Sequence, residues 1–130
     1  MKKYTDLAPA AFLTALLLSV AIGCSDDDGV DPENTPPVIL SLAAEPDTIY
    51  GGQFTRVTVS AEDADGDNLE YLWDTDQQWL TPQSGEGNQI QLSSCCAIEE
   101  EKTAMVISIV KDGRGGEARD SVRVWGLPTP

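Results

Sequence analysis

The chain contains no histidine. That excludes histidine general bases, Ser-His-Asp and Cys-His nucleophilic sites, and histidine-ligated zinc. Positive charge is scarce too: 8 Lys and Arg stand against 22 Asp and Glu, a formal net charge of −14. Nucleic acid needs a basic footprint that this composition does not offer, and the same acidity works against adhesion to anionic headgroups. No stretch shows a convincing helical hydrophobic period. Cysteine is confined to Cys24, Cys95 and Cys96. Paired carboxylates alone could still serve a glycoside hydrolase, but the domain is small for a deep cleft, and the expectation is a protein that is not an enzyme.

What is present begins with an address. Met1-Lys2-Lys3 is basic, and an apolar run follows from Leu7 to Ile22. These are the charged and apolar regions of a secretory leader. The dense core from Ala10 to Ile22 falls short of the about 20 apolar residues a transmembrane helix needs. The run ends at Ala21-Ile22-Gly23-Cys24, which resembles the lipobox of bacterial lipoproteins. The resemblance implies that residues 1–23 are removed and that Cys24 carries the lipid (diacylglyceryl, with palmitate-type acyl chains). It also implies attachment to a membrane through Cys24. Ser25 directly after the cysteine resembles lipoproteins sent to an outer membrane, and the following Asp26-Asp27-Asp28 resembles signals for surface display. Two or three acyl chains on one cysteine hold a protein far longer than one chain does.

Lys2, Lys3 and Asp6 leave with the leader, so the remaining 107 residues hold 6 basic and 21 acidic side chains, a formal charge of −15. This is one domain with a modest core. Residues 24–36 comprise Cys24 and an acidic segment with Pro and Gly, which reads as a disordered tether. Residues 37–127 read as strands and turns. Val38–Ala43 is a first strand. Phe54–Ala61 alternates, with Val57, Val59 and Ala61 on one face. Leu69–Asp74 alternates with Leu69, Tyr71 and Trp73 inward. Gln89–Leu92, Thr103–Val110 and Ala118–Trp125 follow, with turns at Pro46-Asp47, Gly51-Gly52, Asp63–Asn68 and Asp112–Gly116. About seven short strands so spaced predict an all-β sandwich.

Three motifs in order, Asn34-Thr-Pro-Pro-Val38, Ala61-Glu-Asp-Ala-Asp-Gly-Asp-Asn-Leu-Glu-Tyr-Leu-Trp73 and Val110-Lys-Asp-Gly-Arg-Gly-Gly-Glu-Ala118, resemble the PKD-type, immunoglobulin-like domain. The likeness spans residues 34–126 and implies an antiparallel immunoglobulin-like β-sandwich of about seven strands. PKD-type domains are usually extracellular interaction or spacing modules. Where that family has a Gly-x-Tyr entry to its penultimate strand, this chain has Ser94-Cys95-Cys96-Ala97. In the family register Val106, Ser108 and Val110 point inward, which leaves Met105, Ile107 and Ile109 as an outward stripe and a candidate contact surface. A one-residue slip would swap the faces.

Three sites follow. In such a sandwich the Asp63–Asn68 loop and the Asp112 hairpin share one end, so Asp63, Asp65, Asp67 and Asp112 form a candidate Ca²⁺ site. Calcium takes six to eight oxygen ligands; the competing reading is a turn whose Asp side chains bond their own backbone. Cys95 and Cys96 have three alternatives: a vicinal disulfide, two free thiols, or an intermolecular bond. Adjacent Cα atoms lie about 3.8 Å apart, closer than disulfides usually span, while an oxidising envelope favours the bond. Finally, Trp73 is expected in the core, whereas Trp79 in a loop and Trp125 facing outward are candidate sugar contacts unless they pack. The functional expectation is a membrane-anchored, non-enzymatic binding or spacer module of the cell envelope with a protein or glycan partner. The alternatives are a periplasm-facing structural component of an outer-membrane assembly, or a calcium-dependent adhesion or glycan-binding module.

Overall fold

The structure is a computed structural model that describes residues 33–130. The leader, Cys24 and residues 25–32 of the tether lie outside the described residues. Alternating β-branched and polar residues set the main strands, because such side chains pack well on a pleated, half-buried surface. The elements are β1 (Val38–Glu45), β2 (Thr48–Tyr50), β3 (Phe54–Glu62), β4 (Glu70–Thr75), β5 (Leu80–Glu86), β6 (Gln89–Ser94), β7 (Lys102–Lys111) and β8 (Glu117–Leu127). They form two four-stranded sheets, ordered β1-β3-β6-β5 and β2-β8-β7-β4. Among the described residues the fold is therefore an all-β sandwich of eight strands, in line with the about seven expected.

Every pairing is antiparallel except β2 with β8, which is parallel. The first strand segment is divided: β1 lies in one sheet, the chain crosses at the cis Glu45–Pro46 peptide, and β2 joins the other sheet beside the last strand. Thr55 Oγ1 donates to Pro46 O at 2.7 Å and fastens this crossing.

β2 and β5 are the strands that alternation did not reveal. β2 is only three residues long, yet Ile49 is fully buried. β5 buries Leu80 alone; Thr81 is half-buried and the remaining residues are exposed. Its ladder with β6 defines it as a strand, with a register shift between Pro82 and Ser84. Proline and a bulge are tolerated there because β5 is an edge strand.

Ile49, Val57, Leu80, Ile90, Leu92, Ala104, Val106 and Val124 form the core between the sheets, with Leu42, Ala44, Trp73, Trp79 and Val122 packed against it. Each large aliphatic so buried contributes about 1.5–3 kcal/mol. Val57 and Val59 are fully buried as the alternation predicts, whereas Ala61 is half-buried and Leu69 precedes β4 rather than joining it. On β7 Val106, Ser108 and Val110 are inward and fully buried, and Met105, Ile107 and Ile109 are half-buried on the outer face.

Candidate functional site

The turn after β3 is shaped by its own aspartates. Asp63 Oδ1 accepts from the backbone N–H of Asp65 at 2.8 Å and of Asp67 at 3.3 Å, and Gly66 N donates to Asp63 O at 3.2 Å. Gly66 sits at φ 76°, a conformation in which a side chain is strained. These bonds turn the chain so that Asp63, Asp65 and Asp67 each offer an oxygen within 4.8 Å of the others. The backbone-bonded turn and the carboxylate cluster are thus the same object.

The segment that enters the domain is bound to this cluster. Thr35 N donates to Asp65 Oδ2 at 2.6 Å, and Asn34 Nδ2 donates to Asp112 Oδ2 at 2.5 Å. Arg114 bridges from the β7–β8 hairpin, with its Nη1 3.3 Å from Asp67 Oδ2. Sequence reasoning did not single out Asn34, Thr35 or Arg114. The available signal was charge: Arg114 is the only cation in the Asp112–Gly116 turn, which faces an acidic loop.

Asp112 lies outside the three-carboxylate group and has a different task. It is buried, and its Oδ1 accepts from Arg114 N at 2.7 Å and Gly116 N at 2.9 Å while Oδ2 takes the Asn34 amide. Burial pushes its pKa up, but the donors Asn34, Arg114 and Gly116 outweigh that and hold the carboxyl below its ordinary value of 3.8. A Cβ at Gly116 would run into the Asp112 carboxylate and come within 2.9 Å of Asn34 Nδ2. Asp112 therefore ties the entering chain to the hairpin, and with its oxygens so engaged it is not a free ligand.

The cluster suits a hard cation. Three carboxylates converge with one guanidinium beside them, and two buried oxygens at this end, Asp63 Oδ2 and Asn34 Oδ1, have no hydrogen-bond partner. Buried acceptors are normally satisfied, and an oxygen-seeking cation such as Ca²⁺ satisfies them without a donor.

At the opposite end Cys95 and Cys96 are exposed free thiols. Their Sγ atoms are 3.0 Å apart, a hydrogen-bonding contact longer than the about 2.05 Å of a disulfide bond. The Cys95 thiol, through that bond and its charge, pushes the Cys96 pKa up, burial adds to this, and Lys102 opposes it. Their backbone is held by Cys95 N to Trp79 O at 3.1 Å and Ser94 Oγ to Cys96 O at 2.5 Å.

The tryptophans divide by environment. Trp73 is half-buried against the core with Nε1 donating to Gly87 O at 3.3 Å. Trp79 packs on the core, and a Cβ at Gly126 would meet its ring at 2.8 Å. Lys102 Nζ lies 5.4 Å from the same ring. That packing removes Trp79 from the candidate sugar contacts. Trp125 is half-buried on the outer face beneath the Arg123 guanidinium, 5.6 Å from its ring centre. A trough of about 780 Å³ lies on the outer face of the β1-β3-β6-β5 sheet, lined by Arg56, Ser84, Glu86, Gln89 and Gln91 among others. Glu86 is its sole carboxylate.

No protein-family model matches this chain, and no curated protein sequence matches it.

Proposed function

We propose that the chain is a lipoprotein of the outer membrane whose PKD-type, immunoglobulin-like sandwich is a non-enzymatic spacer or binding module held close to the lipid surface. The observation that carries this reading is the clamp at the point of entry. Asn34 and Thr35, just ahead of β1, are bonded to Asp112 and Asp65, so the domain's orientation is set where the tether ends. A module whose role is position needs that junction stiff. The division of the first strand between sheets and the parallel β2–β8 pair support the immunoglobulin-like reading of the sandwich.

Calcium deepens the same reading. An ion held by Asp63, Asp65 and Asp67 would neutralise the loop to which Thr35 is bonded and so stiffen the junction. Labelling cells with a fatty-acid analogue should mark the wild-type chain and not Cys24→Ala; label retained by the variant would remove the anchor from the proposal. Millimolar calcium should raise the melting temperature of the wild-type chain by several degrees and leave Asp63→Asn unmoved. An unchanged melting temperature in the wild type would remove the ion and leave the anchor standing.

A further inference from the structure

We propose that the open edge of β4 is a docking site for an extended basic segment of another protein, which adds a strand to the β2-β8-β7-β4 sheet. The sandwich has four edge strands, and three are spoiled for pairing. β2 is three residues long, and β5 carries Pro82 and a register shift. β1 follows Pro36-Pro37 and has its own register shift between Ile39 and Ser41. Shortness, proline and bulges are how natural proteins protect an edge. β4 has none of these. Asp76 N donates to Met105 O at 3.2 Å, so Asp76, Asp74, Leu72 and Glu70 turn their backbone groups toward β7. Tyr71 and Trp73 turn theirs the other way, where no described strand pairs with them. Thr75 N is taken by Asp74 Oδ1 at 2.8 Å, which ends the open stretch.

Side chains select the strand that fits. Glu70, Leu72 and Asp74 stand exposed on the outer face, and Asp76 is exposed just beyond them. Among the described residues no cation lies within ion-pair distance of Glu70, Asp74 or Asp76. Lys111 neighbours Glu70 in register, yet its Nζ lies 3.8 Å from Glu117 instead. An antiparallel strand bonded to Tyr71 and Trp73 places alternate residues directly opposite Glu70, Leu72 and Asp74, in the pairs whose side chains approach most closely. Lys or Arg at the two outer positions, with an aliphatic residue between them, complements that column, because opposite charges across a pair stabilise it and like charges destabilise it. A second copy of this chain is disfavoured by the same rule. The longest antiparallel pairings of two β4 edges set Trp73 on Trp73 or on Tyr71, and these put Glu70 of one copy opposite Asp76 or Asp74 of the other. The acidity of the whole chain, net −14, draws a basic partner in. Such docking needs neither the lipid nor calcium, and so stands apart from the anchored-module reading.

The test uses the full chain in detergent micelles with the peptide Thr-Lys-Val-Ile-Val-Lys-Thr as probe. At millimolar peptide, amide exchange at Tyr71 and Trp73 should slow by about tenfold, while Leu72 and Asp74, already bonded to β7, stay unchanged. N-methylation of both peptide valines removes the donors to Tyr71 O and Trp73 O and keeps the charge, and it should abolish the protection. Glu70→Lys with Asp74→Lys should lose the lysine peptide and take Thr-Glu-Val-Ile-Val-Glu-Thr, which the wild-type chain should refuse. That exchange of preference also shows that the variant folds, and the milder Glu70→Gln with Asp74→Asn should weaken the protection on its own. No protection at Tyr71 and Trp73, equal protection by the N-methylated peptide, or a reversed variant that keeps the lysine peptide or does not take the glutamate one overturns the proposal. Protection that is present before peptide is added and rises with protein concentration would make a second copy the occupant, and overturns it as well.

Discussion

The two ends of the sandwich are closed by different physics. At the end where the chain enters, the fastening is polar: Asn34 and Thr35 donate to Asp112 and Asp65, and the hairpin's own N–H groups converge on Asp112. At the opposite end the closure is by volume. The Trp79 ring and Ile98 press on Gly126, Ala97 presses on Gly51, and Leu80 is buried below. The first end should respond to pH and cations, and the second to the size of its side chains. The first end can therefore be tuned without disturbing the second.

The largest effect is expected where volume is removed. Leu80→Ala should cost about 2–5 kcal/mol and Trp79→Ala about 3–5 kcal/mol, measured by denaturant unfolding. Trp79→Phe should be far milder, below about 1.5 kcal/mol, because the buried Trp79 Nε1 has no partner to lose. A cost for Phe equal to that for Ala would mean that the polar edge matters and would weaken the contrast between the ends.

Next comes Gly116→Ala, which drives a methyl group into the Asp112–Asn34 pair and should cost about 1–3 kcal/mol. It should also loosen the entering segment, read as faster amide exchange at Thr35, while exchange at Cys95 stays unchanged.

Acid should act on the polar end alone. The Asp112 pKa is depressed in the folded state, so its stabilisation is present above the ordinary value of 3.8 and is lost as pH falls through the lower, folded value. Thermal melts between pH 5 and pH 2 should therefore fall less steeply for Asp112→Asn, which is already destabilised at neutral pH. Parallel slopes would show that other carboxylates govern the acid limb.

The smallest effect is expected from Ser108→Ala in the middle of β7. Ser108 Oγ is fully buried without a hydrogen-bond partner, so its removal should change stability by no more than about 0.5 kcal/mol and in the favourable direction. A clear loss would reveal a bond that this packing does not contain.

Legibility in the sequence followed local periodicity. β3 and β7 could be read because their alternation is strong, and β7 kept the register in which Val106, Ser108 and Val110 face inward. β5 could not be read, because Thr81–Glu86 carries no apolar alternation and becomes a strand only by pairing with β6. The acidic loop was legible as a cluster, since its spacing packs carboxylates into one turn. The role of Asp112 was not legible, because it depends on Asn34, seventy-eight residues away in sequence.

Read alone, the sequence determined an absence of histidine chemistry, a strongly acidic chain, an all-β pattern and the expectation of a lipid-bearing Cys24, because composition and short-range period are properties of the chain itself. Tertiary structure alone decided which carboxylate ties the entering chain to the hairpin, which ones gather in one turn, and which tryptophan is packed. Those outcomes depend on long-range pairing of strands and on burial, and neither can be specified by residues that are neighbours only in sequence.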